Sequence, residues 1–331
     1  MADARNLWLH IGSEKTGSSS LQTYLLRNRA VFEKKGLRYV TPAPKMQEAN
    51  RLAVTLGNGR TREAANICAE IFKTAQFEDM RDVVVSSEML FRIPAAAKLS
   101  SIIREHINEA DISLKIVCYI RRQDRYLESL YAQRAKTGSF VGGLEDYVAI
   151  QKAARGVNYN DIIQSWKDAF PEARMIVRRY EKDHLVSGDV AADFLSLIGH
   201  ENLYSAEGRS FGNKAPHADA LAVMSQLARF KSYRAREIYR RLHKLGIPDT
   251  GATRVMLPYD LRCQIMNDCA DGNEAIRKEY FGDSADLFDM SDLKVPYETE
   301  PAITFTEEQL ELLQKVFRVI HELQLNALRN R

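Results

Sequence analysis

An α/β fold, with a parallel central sheet covered by helices on both faces, is predicted by two features of this 331-residue sequence. Short, nearly continuous Val/Ile/Leu runs recur through the first two-thirds of the chain, and longer amphipathic stretches separate them. A strand buried on both faces reads as an unbroken apolar run, and parallel neighbours need a long crossover, usually a helix, so this alternation marks a doubly covered parallel sheet.

The first predicted strand is NLWLHI from Asn6, and a glycine-bearing loop and an amphipathic stretch follow it. That stretch, SLQTYLLRNRAVFEKKG, ends in a glycine suited to a helix C-terminus. LRYV from Leu37, VVVSS from Val83, LKIVCYI from Leu114 and ARMIVRRY from Ala173 supply four further strands. After about Gly199 the pattern changes. Segments 215–245, 259–280 and 306–328 carry apolar residues at helical spacing with no convincing strand between them. In FTEEQLELL, Thr306 is placed to cap a helix whose first turn is acidic. No Pro/Gly/Ser-rich linker divides the chain. The expected organisation is therefore an α/β core over residues 1–205 and a helical C-terminal extension over 206–331, packed on that core.

Composition narrows the partners. Hydrophobic content of 45% and charged content of 27% are those of a globular chain and exclude extensive disorder. The net charge of +3 comes from both signs interspersed, which suits an anionic ligand but lacks the concentrated basic face of a nucleic-acid binder. Four cysteines show no CxxC pair and no neighbouring histidines at ligand spacing, so no metal site and no disulfide framework are expected. The first residues are too weakly apolar for a signal-peptide core, and no run of roughly 18 apolar residues occurs, so no integral membrane segment and a cytoplasmic location are expected.

The chemistry concentrates in LHIGSEKTGSSSLQ, read as strand, loop and helix. Ligands bind parallel sheets beyond the carboxyl ends of the strands. Gly12 and Gly17 let the backbone curl, and amides from about Ser13 to Ser19 can face one anion at the positive end of the helix dipole. Lys15 adds a charge, and Ser18, Ser19 and Ser20 add hydroxyls, so a phosphate or sulfate group is the natural occupant. The glycines match the spacing of the ATP-binding P-loop, GxxxxGK[ST], but Ser18 stands where its lysine belongs, and no strand ends in a magnesium-binding aspartate. A second candidate anion site follows the fourth strand, with Arg121 at its end and Ser129 eight positions later on the incoming helix. Arg122, next in sequence, competes for that role, and both arginines could instead pair with Asp124 or Glu128 on the surface.

LHIGSEKTGSSSLQ resembles the 5′-phosphosulfate loop of the sulfotransferases that use 3′-phosphoadenosine 5′-phosphosulfate (PAPS), typically written with KTGTTSL. Arg121, Ser129 and Tyr131 resemble that family's 3′-phosphate motif. A looser likeness runs through NYNDIIQSWKDAFPEARMIVRRYEKDHLVSGDVAADFLSLIG and brings the covered stretch to about the first 200 residues. The resemblance implies a P-loop-like fold and a PAPS donor without a metal. It implies that Lys15, Thr16, Gly17, Ser18 and Ser19 surround the 5′ phosphosulfate while Arg121 and Ser129 hold the 3′ phosphate. It also implies transfer to an acceptor hydroxyl, on a carbohydrate or glycolipid by analogy with relatives that use a glutamate base.

In such a transfer the acceptor loses a proton while charge builds on the bridging oxygen of the departing nucleotide. Lys15 can stabilise that oxygen, and Glu88, at the end of VVVSSEML, is the candidate base. The competing role for Glu88 is to cap its turn or pair with Arg92. His10 is the rival base, although a lone histidine on an apolar strand is more often structural. Arg178 and Arg179 could contact an anionic acceptor or form ordinary ion pairs, and RFKSYRAREIYRRLHK reads as a solvated basic helix. Two other functions stay open on sequence: a nucleotide-dependent phosphotransferase, and a nucleotide-binding protein without turnover.

Overall fold

The computed structural model describes residues 5–42, 49–75, 80–92, 95–109, 112–154, 156–208, 256–282, 286–298 and 306–315, with a few isolated positions besides. It is an α/β fold built on a five-stranded, all-parallel sheet. The strands are β1 (Arg5–Gly12), β2 (Leu37–Val40), β3 (Asp82–Ser86), β4 (Ile112–Ile120) and β5 (Arg174–Arg179), in the order β2-β3-β1-β4-β5. Among the described residues the helices include α1 (Ser18–Glu33), α2 (Asn50–Gly57), α3 (Thr61–Ala75), α4 (Ala95–Glu109), α5 (Gln123–Thr137), α6 (Leu144–Ala153), α7 (Tyr159–Ala169), α8 (Val190–Leu197), α9 (Tyr259–Asp268) and α10 (Ala270–Tyr280), with short 3-10 turns between some of them. From β1 the chain passes to the edge strand β2, returns to β3 beside β1, and then crosses to β4 and β5 on the other side. β1 is therefore the point where the strand order reverses, the usual position of a ligand crevice in such sheets.

Alternate residues of the strands feed opposite faces. Trp8, Val84, Val117 and Tyr119 pack with Leu21, Tyr24 and Leu25 of α1 and Phe194 and Leu195 of α8. Leu7, Leu9, Ile11, Val83, Val85, Ile116 and Cys118, also buried, belong to the other side, where α3, α4 and α7 lie against one another. Near-continuous burial along β3 and β4 is what their sequences demanded. Trp166 of α7 is fully buried and stacks on Phe170.

The contacts divide into two compact units. One holds the sheet and comprises 1–126, 156–212 and 266–292; the other comprises 127–155, 213–265 and 293–331. In the second unit, Tyr131 meets Phe140 and Tyr147 edge-on or tilted, and Tyr297 packs against Tyr259. Thr306 caps the helical segment 307–315: its hydroxyl accepts from the Gln309 amide at 3.2 Å while Gln309 Oε1 accepts from the Thr306 amide at 2.9 Å. Segment 259–280 divides into α9 and α10, whereas most of 215–245, including the RFKSYRAREIYRRLHK stretch, lies outside the described residues.

At the amino edge of the sheet a carboxylate is buried. Asp82 is 1% exposed and accepts from Trp8 Nε1 at 2.8 Å, Asn6 Nδ2 at 3.0 Å and His200 Nε2 at 3.0 Å. Burial alone would raise its pKa, but the hydrogen bonds from His200, Trp8 and Asn6 outweigh it and hold the carboxyl below its ordinary value. A depressed carboxyl stabilises the fold above its unfolded pKa, and that contribution is lost as pH falls through the folded one. Asp82→Asn should therefore lower the urea midpoint at neutral pH and flatten its decline below about pH 4, relative to the unsubstituted chain. Equal acid slopes in urea titrations of the two proteins would contradict this assignment.

Candidate active site at the carboxyl edge of the sheet

β1 opens into a loop whose backbone alternates hand. Gly12, Lys15 and Gly17 have φ of +75, +64 and +77, and Lys15 is one of the rare non-glycine residues to do so. The Ser13 amide donates to the Tyr119 carbonyl at 2.8 Å, stitching the loop to β4, so the anion-facing amides begin after Ser13 rather than at it. Thr16 Oγ1 and Ser18 Oγ both donate to the Ser13 carbonyl, at 2.6 and 3.2 Å. The Ser18 hydroxyl, expected as a donor to the anion, thus joins that of Thr16 in closing the loop on itself. Ser19 is exposed. Gly17 caps α1 in the left-handed conformation without any side-chain cap, which leaves the first turn of the helix presented to whatever fills the loop.

The third strand delivers Glu88 to the same place. Its Cα and Cβ would stand 2.8 and 2.6 Å from a Cβ on Gly12, so the turn after β3 packs on the start of the loop. Glu88 Oε2 accepts from Gln22 Nε2 at 2.7 Å and Oε1 from Asn50 Nδ2 at 3.1 Å. The alternative pairing with Arg92 does not form. Arg92 lies 3.3 Å from the Glu14 carboxylate and offsets a negative charge inside an anion loop.

The fourth strand resolves the two arginines. Arg122 is buried; it forks onto Asp124 at 2.8 and 2.9 Å and onto Asp292 at 2.6 and 3.0 Å, and also donates to the Asp289 carbonyl. The expected surface pairing with Asp124 is thus an interior clasp that holds 289–292 onto the β4–α5 turn. Arg121 turns the other way and donates to the Lys15 carbonyl at 3.2 Å, while its guanidinium lies 5.9 Å from the Tyr180 ring centre. The Arg121 carbonyl accepts from Tyr159 Oη at 2.8 Å, which fixes the corner. Lys15 and Arg121, expected to mark separated anion sites, therefore adjoin. Ser129 is half-buried on α5 and belongs to the second compact unit, as does Tyr131.

His10 lies below the loop, fully buried, with its ring edge-on to Tyr119 and Phe194 and Nδ1 at 2.7 Å from Ser86 Oγ. Burial pushes its pKa down to about 3, so it is a neutral packing residue that no substrate hydroxyl can reach. Arg178 is committed to buried Asp193, whose carboxylate also accepts from Tyr119 Oη at 2.7 Å. Arg179 stacks over Phe281 at 4.8 Å, and burial lowers its pKa. Sequence reasoning missed Gln22 and Asn50. Gln22 did carry a signal, since it follows Ser18 by one helical turn, whereas Asn50 carried none.

No family model matches the chain. A protein of Archaeoglobus fulgidus, described as an uncharacterized protein, is 28% identical over 171 residues. That match covers 51% of this chain and 46% of the relative, so the chain spans about half the length of the protein it resembles. Among the described residues, no helix is long and apolar enough to cross a membrane.

The two loop glycines differ from Gly59, which has φ +72 but no atom within 4 Å of a built Cβ. Gly59→Ala should cost only the left-handed backbone penalty, about 1–2 kcal/mol. Gly12→Ala should cost clearly more, since Glu88 backbone must move, and Gly17→Ala must displace the Tyr180 ring at 2.9 Å and Val190 at 3.0 Å. Thermal unfolding of the three variants checks the order; equal losses would mean that the loop is not packed this tightly.

Proposed function

We propose that the chain is a PAPS-dependent sulfotransferase that moves a sulfonate group to an acceptor hydroxyl, on a carbohydrate or glycolipid. The observation that carries this reading is convergence. The Lys15 backbone, the Arg121 guanidinium and the start of α1 meet at one loop, with Cα and Cβ of Glu88 packed against its first glycine. Positive-φ residues at 12, 15 and 17 make the kind of backbone concavity that takes an oxyanion. The likeness of the loop to the phosphosulfate motif names the donor.

In this reading the acceptor oxygen attacks sulfur, the bond from sulfur to the bridging phosphate oxygen breaks, and the acceptor proton passes to Glu88. Lys15 stabilises the charge gathering on the departing oxygen as a point charge beside the loop. Arg121 would bind a phosphate of the nucleotide, the 3′ one by the motif it resembles, and it also steadies the loop through the Lys15 carbonyl. A phosphotransferase of the P-loop type would need a lysine at position 18, where Ser18 instead turns onto the Ser13 carbonyl.

Calorimetric titration with adenosine 3′,5′-bisphosphate and with ATP tests the donor. The bisphosphate should bind more tightly, and Lys15→Ala and Arg121→Ala should each weaken it about 10- to 100-fold, the scale of a lost charge-assisted hydrogen bond. Preference for ATP would overturn the reading. Glu88→Gln should lower sulfonate transfer by about 10²- to 10⁴-fold and leave bisphosphate affinity within about twofold. Full activity in that variant would remove Glu88 as the base.

A further inference from the structure

We propose that Gln22 and Asn50 are positioning residues, a pair of neutral amides that clamp the Glu88 carboxylate and couple its orientation to the donor loop. The inference rests on the reading of Glu88 as the base and extends it to two residues that the sequence did not single out.

A carboxylate that must accept a proton needs a fixed direction without a cation bound directly to it, because an arginine fork would stabilise the charge it has to give up. Each Glu88 oxygen receives one amide N–H and neither pairs with Arg92. Gln22 is 2% exposed, and its two amide hydrogens are accounted for by Glu88 Oε2 at 2.7 Å and Ser86 Oγ at 3.1 Å. Asn50 is held as firmly. Its Oδ1 accepts from Ser87 Oγ at 2.6 Å, and the adjacent Ala49 amide donates to the Ser86 carbonyl at 2.8 Å. A buried amide with every hydrogen directed is costly to place unless its geometry is completed, and completed networks fix one arrangement.

The clamp is also linked to the loop. Gln22 lies one turn after Ser18 on the same face of α1, the helix whose open first turn faces the anion site. A helix moves as a unit, so a shift of its N-terminus as the loop fills is carried to Gln22 and on to Glu88. Glu88 touches the loop independently through Gly12.

The test uses Gln22→Leu, Asn50→Ala and Gln22→Leu in the Glu88→Gln background. Sulfur-labelled PAPS serves as donor, and a panel of p-nitrophenyl glycosides, of which the best is carried forward, serves as acceptor. Each single variant should lower kcat about 10- to 100-fold, the range for a misplaced catalytic group, with donor KM and bisphosphate affinity within about twofold. The double variant should be no slower than Glu88→Gln alone, because Gln22 acts through the group already removed. A further drop, or single variants with unchanged kcat, would overturn the clamp while leaving the parent reading intact; an unsubstituted protein that binds no bisphosphate would sink the parent reading instead. Crystal structures of the Gln22→Leu variant decide the clamp even without turnover: Glu88 should leave its position beside Asn50, and an unmoved carboxylate would refute the inference.

Discussion

At Gly12 the chain leaves β1 with φ +75, and the space a Cβ would occupy is already filled by Cα and Cβ of Glu88. That contact joins two consequences of one parallel sheet. β1 and β3 are neighbours in register, so their carboxyl ends arrive together, His10 opposite Ser86. What each strand does next is then constrained by the other: the first turns into a glycine-bearing loop, and the second stops in a short helical turn led by Glu88. Only a residue without a side chain lets the two backbones approach this closely. Hydrogen bonds fix the rest of the loop: the Ser13 carbonyl accepts from Thr16 and Ser18, the Ser13 amide donates to Tyr119, and the Lys15 carbonyl accepts from Arg121.

Adjacent arginines on β4 show how burial divides labour between chemically identical groups. Arg122 is taken out of water and matched by two aspartates, one of them 170 positions away, so its charge is used inside the fold. Breaking such a pair from one side leaves an uncompensated buried charge, a loss of about 3–5 kcal/mol. Arg121 keeps partial exposure, an aromatic face beneath it and a carbonyl of the loop. The same division recurs on β5, where Arg178 is committed to Asp193 and Arg179 lies over Phe281.

The fold class could be read because apolar runs and helical crossovers are dictated by burial on both faces, a property of each residue taken locally. Strand ends were less legible. β1 begins at Arg5 and β4 at Ile112, because the pairing of Arg5 with Ile112 depends on backbone partners rather than on apolar side chains. The candidate site divides in the same way. The loop announced itself through glycine spacing, and Glu88 through its place after an apolar run. Asn50 could not be found, since its role is set by α2 starting where β3 ends. Nor could the fate of Arg122 be foreseen, which needed Asp289 and Asp292 brought from the far end of the chain.

Electrostatics around the loop complete the picture. Glu14 places a negative charge in the loop after β1, and Arg92 offsets it from the turn that carries Glu88. Lys15 follows β1 and Arg121 follows β4, whereas Glu88 follows β3 on the opposite side of β1. Arg121 and the Glu88 carboxylate are therefore set on opposite sides of the central strand. Neutral amides, rather than cations, stand directly on the carboxylate. Had Arg92 reached Glu88 instead of Glu14, the loop would retain an uncompensated negative charge and Glu88 would carry a cation in place of its two amides. Two neighbouring carboxylates are thus satisfied by different means, Glu14 by the Arg92 cation and Glu88 by the neutral amides of Gln22 and Asn50.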